Sequence, residues 1–302
     1  MPLTIVKPGF ERSDIKVLPP ISTGVIYSWE SPLFTPRSFL RLAVADLRKS
    51  FEPAKRMLKI RIAQRYRYSS LGLFWAFAPS IVLATVVTVG QRANVQALSA
   101  GDVPCQLYAV LGLIMMQTFI ESLNSQRSLI EANKHLLVKH ATLIEAAMLA
   151  GFADSIIHML VKIPMLALVF FACSFSPAPT FLFGFLGLFA VSMLGAGLGL
   201  WLSPWDALKR DVAHAMNLLP WLLFAVTPIF VKTQTVAALS VCYRLNPLTT
   251  IFDSIRSLTY GTATTTDTMV LLAVAVVSIL TVASGWLLCR IAVPHVIERS
   301  LI

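Results

Sequence analysis

Long uncharged apolar segments alternate with short polar connections along most of the chain. The first segment, residues 71–90, contains no charged side chain. As a helix it would be about 30 Å long, which matches the hydrocarbon thickness of a bilayer. Further apolar segments follow, so the pattern predicts an all-α integral membrane protein. Its six transmembrane helices are expected at about 71–90, 104–123, 142–174, 180–202, 213–231 and 268–289.

A region of helical periodicity precedes the first span. Between residues 37 and 68, apolar side chains recur at helical spacing and basic side chains occupy the opposite face. Such an amphipathic helix suits the anionic surface of a membrane, and Pro53 is expected to kink it or divide it in two. The alternative is a soluble helix packed on a neighbouring domain. Residues 1–36 contain several prolines without a helical period, which predicts an extended cytoplasmic arm before the membrane domain at 69–302.

The third span is longer than a bilayer requires, and it carries a row of titratable side chains. Asp154, His158 and Lys162 recur at i, i+4 and i+8, which places them on one helical face. A charge at the centre of a span costs about 2.5–3.5 kcal/mol, so this face should meet protein or water. One hypothesis is a proton relay. The other, which we favour, is a paired stripe packed against a neighbouring helix, with Lys162 extending toward the surface.

Small residues and prolines distinguish the fourth and fifth spans. The fourth contains GAGLG at 195–199, a pattern of small residues that lets helices approach closely. The fifth contains Pro220 and Pro228, each of which is predicted to kink it.

The segment between the fifth and sixth spans is too long for a tight loop. It predicts short helices that begin at Asn246-Pro247, end at Gly261 and are partly re-entrant from the outer side. Asp253 and Arg256 are expected on its polar face. Its apolar face consists of Leu248, Ile251, Phe252, Ile255 and Leu258.

Composition and charge support a membrane protein and fix its predicted orientation. Of 302 residues, 56% are hydrophobic and only 13% are charged, against about a quarter charged in soluble domains. The net charge of +10 could indicate nucleic acid, but more than half of the Lys and Arg residues precede position 71 and follow membrane topology. Because basic connections stay inside, both termini are predicted to be cytoplasmic. Lys232, Arg244 and Arg256 are exceptions that would lie outside.

The sequence contains no recognisable catalytic or metal-binding motif. HExxH, GxSxG and the P-loop pattern are absent, so the chain is not expected to be an enzyme or to hydrolyse ATP itself. The four cysteines show no metal-ligand spacing. We therefore expect no metal and no cofactor bound by this chain.

An ordered set of segments resembles the membrane subunits of type-2 ABC exporters, especially those that move O-antigen, capsular polysaccharide or teichoic acid. The resemblance covers roughly residues 39–302. It rests on RYRYSSLGLFWAFAPS at the first span, VPCQLYAVLGLIMMQTFIESLNS at the second, SLIEANKHLLVKH after it, GLGLWLSPWDALKRDV at the fourth, and TPIF and NPLTTIFDSIRSLTYG toward the end.

The resemblance implies a half-transporter of the bacterial inner membrane that exports a lipid-linked polysaccharide. It implies a second copy of the chain, two ATPase subunits that bind ATP and Mg, and further export components of the periplasm or outer membrane; nucleic acid is not an expected partner. The loop at 128–140 would couple to the ATPase. Its expected contact residues are Ser128, Ile130, Glu131, Asn133, Lys134, His135 and Leu136, with Leu137 also available to dock.

Aromatic side chains supply the candidate substrate contacts. Channel lining is expected from Phe74, Trp75, Phe77, Trp221 and Phe224, although interfacial anchoring would explain them equally well. The expected outer gate consists of Tyr243, Asn246, Pro247, Phe252 and Tyr260. Three alternatives remain open. The first is an exporter of a drug or lipid with the same architecture, and the second is an intramembrane glycosyl- or acyltransferase that uses Asp154, His158 and Lys162. The third is a channel or scaffold that has no ATPase.

Overall fold

The computed structural model describes residues 36–66, 82, 85–86, 89–90, 103–137, 143–175, 179–229, 243 and 245–300. The chain divides into two compact units, 1–41 and 42–302, of which the first contributes only the beginning of one helix to the described part. The long described elements are all α-helices. They are α1 (Pro36–Lys49), α2 (Phe51–Tyr66), α3 (Cys105–Arg127), α4 (Leu129–Leu137), α5 (Leu143–Ala172), α6 (Phe181–Leu208), α7 (Arg210–Val226), α8 (Pro247–Tyr260) and α9 (Thr265–Ser300).

The periodic region before the first span forms two helices. α1 and α2 meet at a turn on Ser50, whose hydroxyl donates to the carbonyl of Asp46 at 2.8 Å. Pro53 lies in the first turn of α2, where its missing N–H removes no helical hydrogen bond. α2 packs against α5. The predicted Pro-rich arm at 1–36 lies outside the described residues except for Pro36.

Four described helical stretches are long and apolar enough to cross a membrane: 106–137, 144–172, 181–208 and 265–296. The first of them comprises α3 and α4. The four stretches correspond to the predicted second, third, fourth and sixth spans. The predicted first span lies largely outside the described residues, although Val82, Val86 and Val89 are helical and exposed. α7, at the fifth span, has only 17 residues and ends at Val226. Pro220 lies within this helix, as predicted. Pro228 lies beyond its end, so the prediction of a helix kink at Pro228 is wrong.

α6 lies at the centre of the described packing. It packs along α3 and α9 and also contacts α4, α5, α7 and α8. Two glycines allow the approach to α3: a Cβ on Gly195 would lie 2.5 Å from the carbonyl oxygen of Phe119, and one on Gly199 would meet the carbonyl of Leu123. The small-residue interface predicted from GAGLG is confirmed.

Of the short helices predicted between the fifth and sixth spans, α8 has the predicted start and the predicted end. Asn246 caps α8 by accepting a hydrogen bond from the Leu248 amide at 3.0 Å, and Pro247 occupies the first turn. Gly261 ends the helix with φ 82°, a left-handed conformation that favours glycine. The predicted apolar face is buried in the main core. Arg256, however, is also buried, so its placement on an exposed polar face is wrong.

Candidate functional site

The segment after α3 is the first candidate site, and it is a short helix. α4 follows α3 after one turn residue, Ser128, whose hydroxyl donates to the Asn124 carbonyl. Leu129, Ile130 and Leu137 are buried in a second core with residues of α5, α6 and α9. Glu131, Ala132, His135 and Leu136 are exposed. Since these positions recur at helical spacing, α4 has one anchored face and one free face.

This geometry corrects part of the predicted docking surface. Ile130 and Leu137 cannot dock as the helix stands, because both side chains are only 1% exposed. The Asn133 amide donates to the Leu129 carbonyl at 2.7 Å, and Lys134 is partly exposed. Glu131, His135 and Leu136 remain accessible. Residues 138–140 of the predicted coupling loop lie outside the described residues.

An ion pair fixes the junction from which α4 emerges. The Arg127 Nη1 lies 2.6 Å from Asp206 Oδ1, joining the end of α3 to the end of α6, and both side chains are largely buried. The Ile130 amide donates to the Ser203 hydroxyl at 3.3 Å. The side-chain amide of Gln126 donates a hydrogen bond to the Met148 carbonyl of α5 at 3.1 Å. The start of α4 is therefore tied to both neighbouring helices.

A second ionic contact joins three helices near the α4 core. Arg290 of α9 donates a hydrogen bond from Nη1 to Glu145 of α5 and another from Nη2 to Asp46 of α1. No local signal identifies these partners, because they lie 145 and 244 residues away along the chain.

A buried arginine lies in the predicted gate helix, although it is not among the five residues predicted to form the gate. Arg256 of α8 donates to the Pro228 carbonyl at 3.1 Å, the Ile229 carbonyl at 2.9 Å and the Tyr108 hydroxyl at 2.9 Å. Gly112 of α3 leaves the room for it, because a Cβ there would collide with the guanidinium group. Arg256 thus joins α8 to α3 and to the chain that follows α7.

Two of the predicted gate residues, Asn246 and Tyr260, tie α8 to other parts of the bundle. The Asn246 side chain donates to Thr227 Oγ1 at 2.8 Å, so it ties α8 to the end of α7 as well as capping it. Tyr260 donates to the Leu107 carbonyl at 3.4 Å, and burial raises the pKa of its phenol, which therefore stays neutral. Phe252 and Tyr243 are buried, and Pro247 is exposed. α8 is packed against α3, α6 and α9.

The titratable row of α5 is paired, and one partner is a residue of α3 that was not among the predicted site residues. Lys162 is buried, and its Nζ donates to Glu121 Oε2 of α3 at 2.7 Å. It therefore does not extend toward the surface as expected. His158 Nε2 and Asp154 Oδ1 are 3.5 Å apart. Glu121 could have been suspected as a carboxylate within an apolar span, but its partner is 41 residues distant.

The aromatic channel candidates divide into two groups. Phe74, Trp75 and Phe77 lie outside the described residues. Trp221 of α7 is 77% exposed, whereas Phe224 packs partly against the main core. Within the described part of the chain, no group of His, Cys, Asp and Glu side chains is placed to hold a metal ion.

Comparison with known proteins assigns these features to one family. No curated protein matches the chain significantly. A family model described as ABC-2 type transporter matches residues 54–260, which is more than half of the chain and includes α3 to α8. Such a domain is the multi-pass membrane component of a transporter and works with an ABC ATPase. The chain belongs to the ABC-2 type transporter family.

Proposed function

We propose that the chain is the permease of an ATP-driven exporter that moves a polysaccharide across the bacterial inner membrane. The substrate would be O-antigen, capsule or a similar lipid-linked glycan. Two copies would enclose the pathway, with both termini in the cytoplasm and each copy bound to one ATPase subunit. The observation that carries the proposal is the two-sided α4, in a chain that belongs to the ABC-2 family.

The free face of α4 has the properties of a docking surface. Leu136 supplies an exposed apolar contact, and Glu131 and His135 supply polar contacts beside it. The buried face of α4 is held by the second core and by the hydrogen bond from Ile130 to Ser203. A partner seated on the free face would therefore act on a helix that is fixed to α3, α5, α6 and α9.

α7 is the surface that we assign to the second copy. Its exposed side chains follow a helical stripe that includes Leu218, Trp221 and Leu222, with Asp211 and His214 at one end of the same stripe. An apolar stripe would also suit lipid, but the polar end favours protein as the neighbour. At this surface Trp221 would offer an aromatic face to sugar rings.

The choice of polysaccharide rests on the resemblance of the ordered segments, and a drug or lipid would use the same architecture. Deletion of the gene that encodes the chain separates these cases. We expect loss of surface glycan and its accumulation inside the cell, with both reversed by complementation. Increased drug sensitivity or altered membrane lipid with unchanged glycan would replace the polysaccharide with that substrate.

Co-purification tests the partner. The chain isolated from its native membrane should bring a P-loop ATPase with it, and Leu136→Arg should release that ATPase. The matched control is Thr266→Lys, at an exposed position at the far end of α9 from the α4 core. Retention of the ATPase by Leu136→Arg, in a correctly folded chain, would remove α4 as the docking site. Isolation of the wild-type chain without any ATPase would remove the proposed energy source.

A further inference from the structure

The surface of α3 differs from that of the other spanning helices. Among its described side chains, those that remain partly exposed are polar except for Ile120. Three of them, Gln117, Glu121 and Asn124, are spaced at i, i+4 and i+7 and so share one helical face. We call these three residues the α3 polar stripe. No large apolar side chain of α3 is exposed.

Along the middle of the candidate spans of α5, α6 and α9 the exposed side chains are apolar. On α5 the exposed side chains include Leu160, Leu168 and Phe171, the last 88% exposed, as expected for contact with lipid. An ionisable group in contact with lipid is costly, and such groups usually face the interior of the bundle or a water-filled cavity. The α3 polar stripe therefore meets water or another protein rather than lipid.

The contact between Glu121 and Lys162 lies well inside the candidate spans 106–137 and 144–172. Lys162 precedes the end of α5 at Ala172 by 172 − 162 = 10 residues, or about 15 Å of helix, which is half of a hydrocarbon core about 30 Å thick. Lys162 is 2% exposed, whereas the side chain of Glu121 is 42% exposed. The lysine thus balances the charge of a carboxylate that keeps much of its surface accessible.

We propose that Gln117, Glu121 and Asn124 line the export pathway and form hydrogen bonds with hydroxyl groups of the passing molecule. This inference rests on the proposed function and assigns it a hydroxyl-rich substrate. The carboxylate of Glu121 accepts hydrogen bonds from hydroxyls, and the two amides both donate and accept. Because Lys162 already neutralises Glu121, the site binds hydroxyls without attracting cations strongly. Hydrogen bonds of this kind are individually weak, which suits a substrate that must move on.

Thiol labelling tests whether the stripe faces water. In a background with the four native cysteines replaced by alanine, Asn124→Cys and Glu121→Cys are treated in membranes with a charged methanethiosulfonate reagent. Ser122→Cys, at a fully buried position, and Phe171→Cys, at an apolar surface, are the controls. We expect the stripe positions to react at least about tenfold faster than either control, because only a hydrated thiol forms the reactive thiolate readily.

Two results would overturn the proposal. Labelling of Asn124→Cys as slow as that of Phe171→Cys would assign the stripe to lipid. Efficient disulfide formation between two copies at position 124 would assign it to the subunit interface. Asn124→Cys decides the test if Glu121→Cys fails to assemble, because position 124 leaves the ion pair of Glu121 intact.

The amount of exported glycan tests separately whether the stripe forms hydrogen bonds with hydroxyl groups. Gln117→Leu with Asn124→Leu should lower surface glycan severalfold while the ATPase stays bound, whereas Gln117→Asn with Asn124→Gln should largely restore it. Unchanged export in the leucine variant would reject the hydroxyl contacts. If deletion of the whole gene leaves surface glycan unchanged, the proposed function fails instead, and the labelling result still decides whether the stripe faces water.

Discussion

The guanidinium carbon of Arg256 lies 3.8 Å from the centre of the Tyr108 ring, and its Nη1 donates to the hydroxyl of the same tyrosine. A cation over an aromatic face contributes about 0.5–2 kcal/mol, depending on how far it is desolvated. The same arginine holds the two carbonyls that follow α7. One side chain therefore links the predicted gate helix to two other parts of the bundle.

Replacement of Arg256 should destabilise the packing of α8. Arg256→Met removes the donor from the Pro228 and Ile229 carbonyls, and an unsatisfied buried acceptor costs about 1–3 kcal/mol. Arg256→Lys should restore little, because an ammonium group lacks the planar fork that reaches several acceptors. The thermal unfolding of the purified chain in detergent measures both variants. Asp253→Asn is the control, since this half-exposed partner should contribute less than about 1 kcal/mol; an equal loss in the control would contradict the prediction.

Asn246 allows helix capping to be separated from attachment to α7. Asn246→Asp keeps an oxygen that accepts from the Leu248 amide but cannot donate to Thr227, whereas Asn246→Ala loses both contacts. Loss of an N-cap costs about 0.5–2 kcal/mol, so we expect Asn246→Ala to be the less stable variant. Protease cleavage near residue 246 should increase in both, because neither variant can donate to the Val226 carbonyl at the end of α7. Wild-type cleavage in Asn246→Asp would show that the Nδ2 donor of Asn246 does not hold the helix.

The sequence predicted α8 accurately because its signals are local. Asn246 and Pro247 mark its start, Gly261 marks its end, and the five apolar residues between them recur at helical spacing. The burial of Arg256 could not be predicted in this way. It depends on the space beside Gly112 and on the carbonyls after α7, both of which are distant in the chain.

The sequence does not show which face of α4 is buried. The segment after α3 was recognised through the family resemblance, but the pattern of apolar residues did not show which of Ile130, Leu136 and Leu137 face inward. That choice depends on the positions of α5, α6 and α9, which bury Ile130 and Leu137. Likewise, Lys162 was noticed as an unusual charge, while its pairing with Glu121 required the packing of α3 on α5.

The ion pair between Arg127 and Asp206 should be needed for the junction of α3, α4 and α6. Removing one partner of a largely buried pair costs about 3–5 kcal/mol, so Arg127→Gln and Asp206→Asn should both lower the unfolding temperature. The exchange Arg127→Asp with Asp206→Arg should recover part of the loss. A double-mutant cycle with both single variants gives the coupling. Additive effects of the two single variants would show that the pair does not act as a unit.

Gly195 should be intolerant of even one added methyl group. In Gly195→Ala the new Cβ would lie 2.5 Å from the Phe119 carbonyl oxygen, which is backbone and can yield only if α3 moves. Overpacking of this kind typically costs about 1–3 kcal/mol. Leu198→Ala, on the more exposed side of the same helix, is the control and should cost less. Equal unfolding temperatures for Gly195→Ala and the wild-type chain would show that α3 and α6 can separate at little cost.

The attachment of α4 has a mechanical consequence. α4 continues from α3 after a single turn residue, and its buried face is wedged among three other helices. A displacement applied to its free face cannot be absorbed by α4 alone, so we expect the load to reach α3 and the three helices that hold the buried face. The contact between Glu121 of α3 and Lys162 of α5 joins two of the helices that would carry this load.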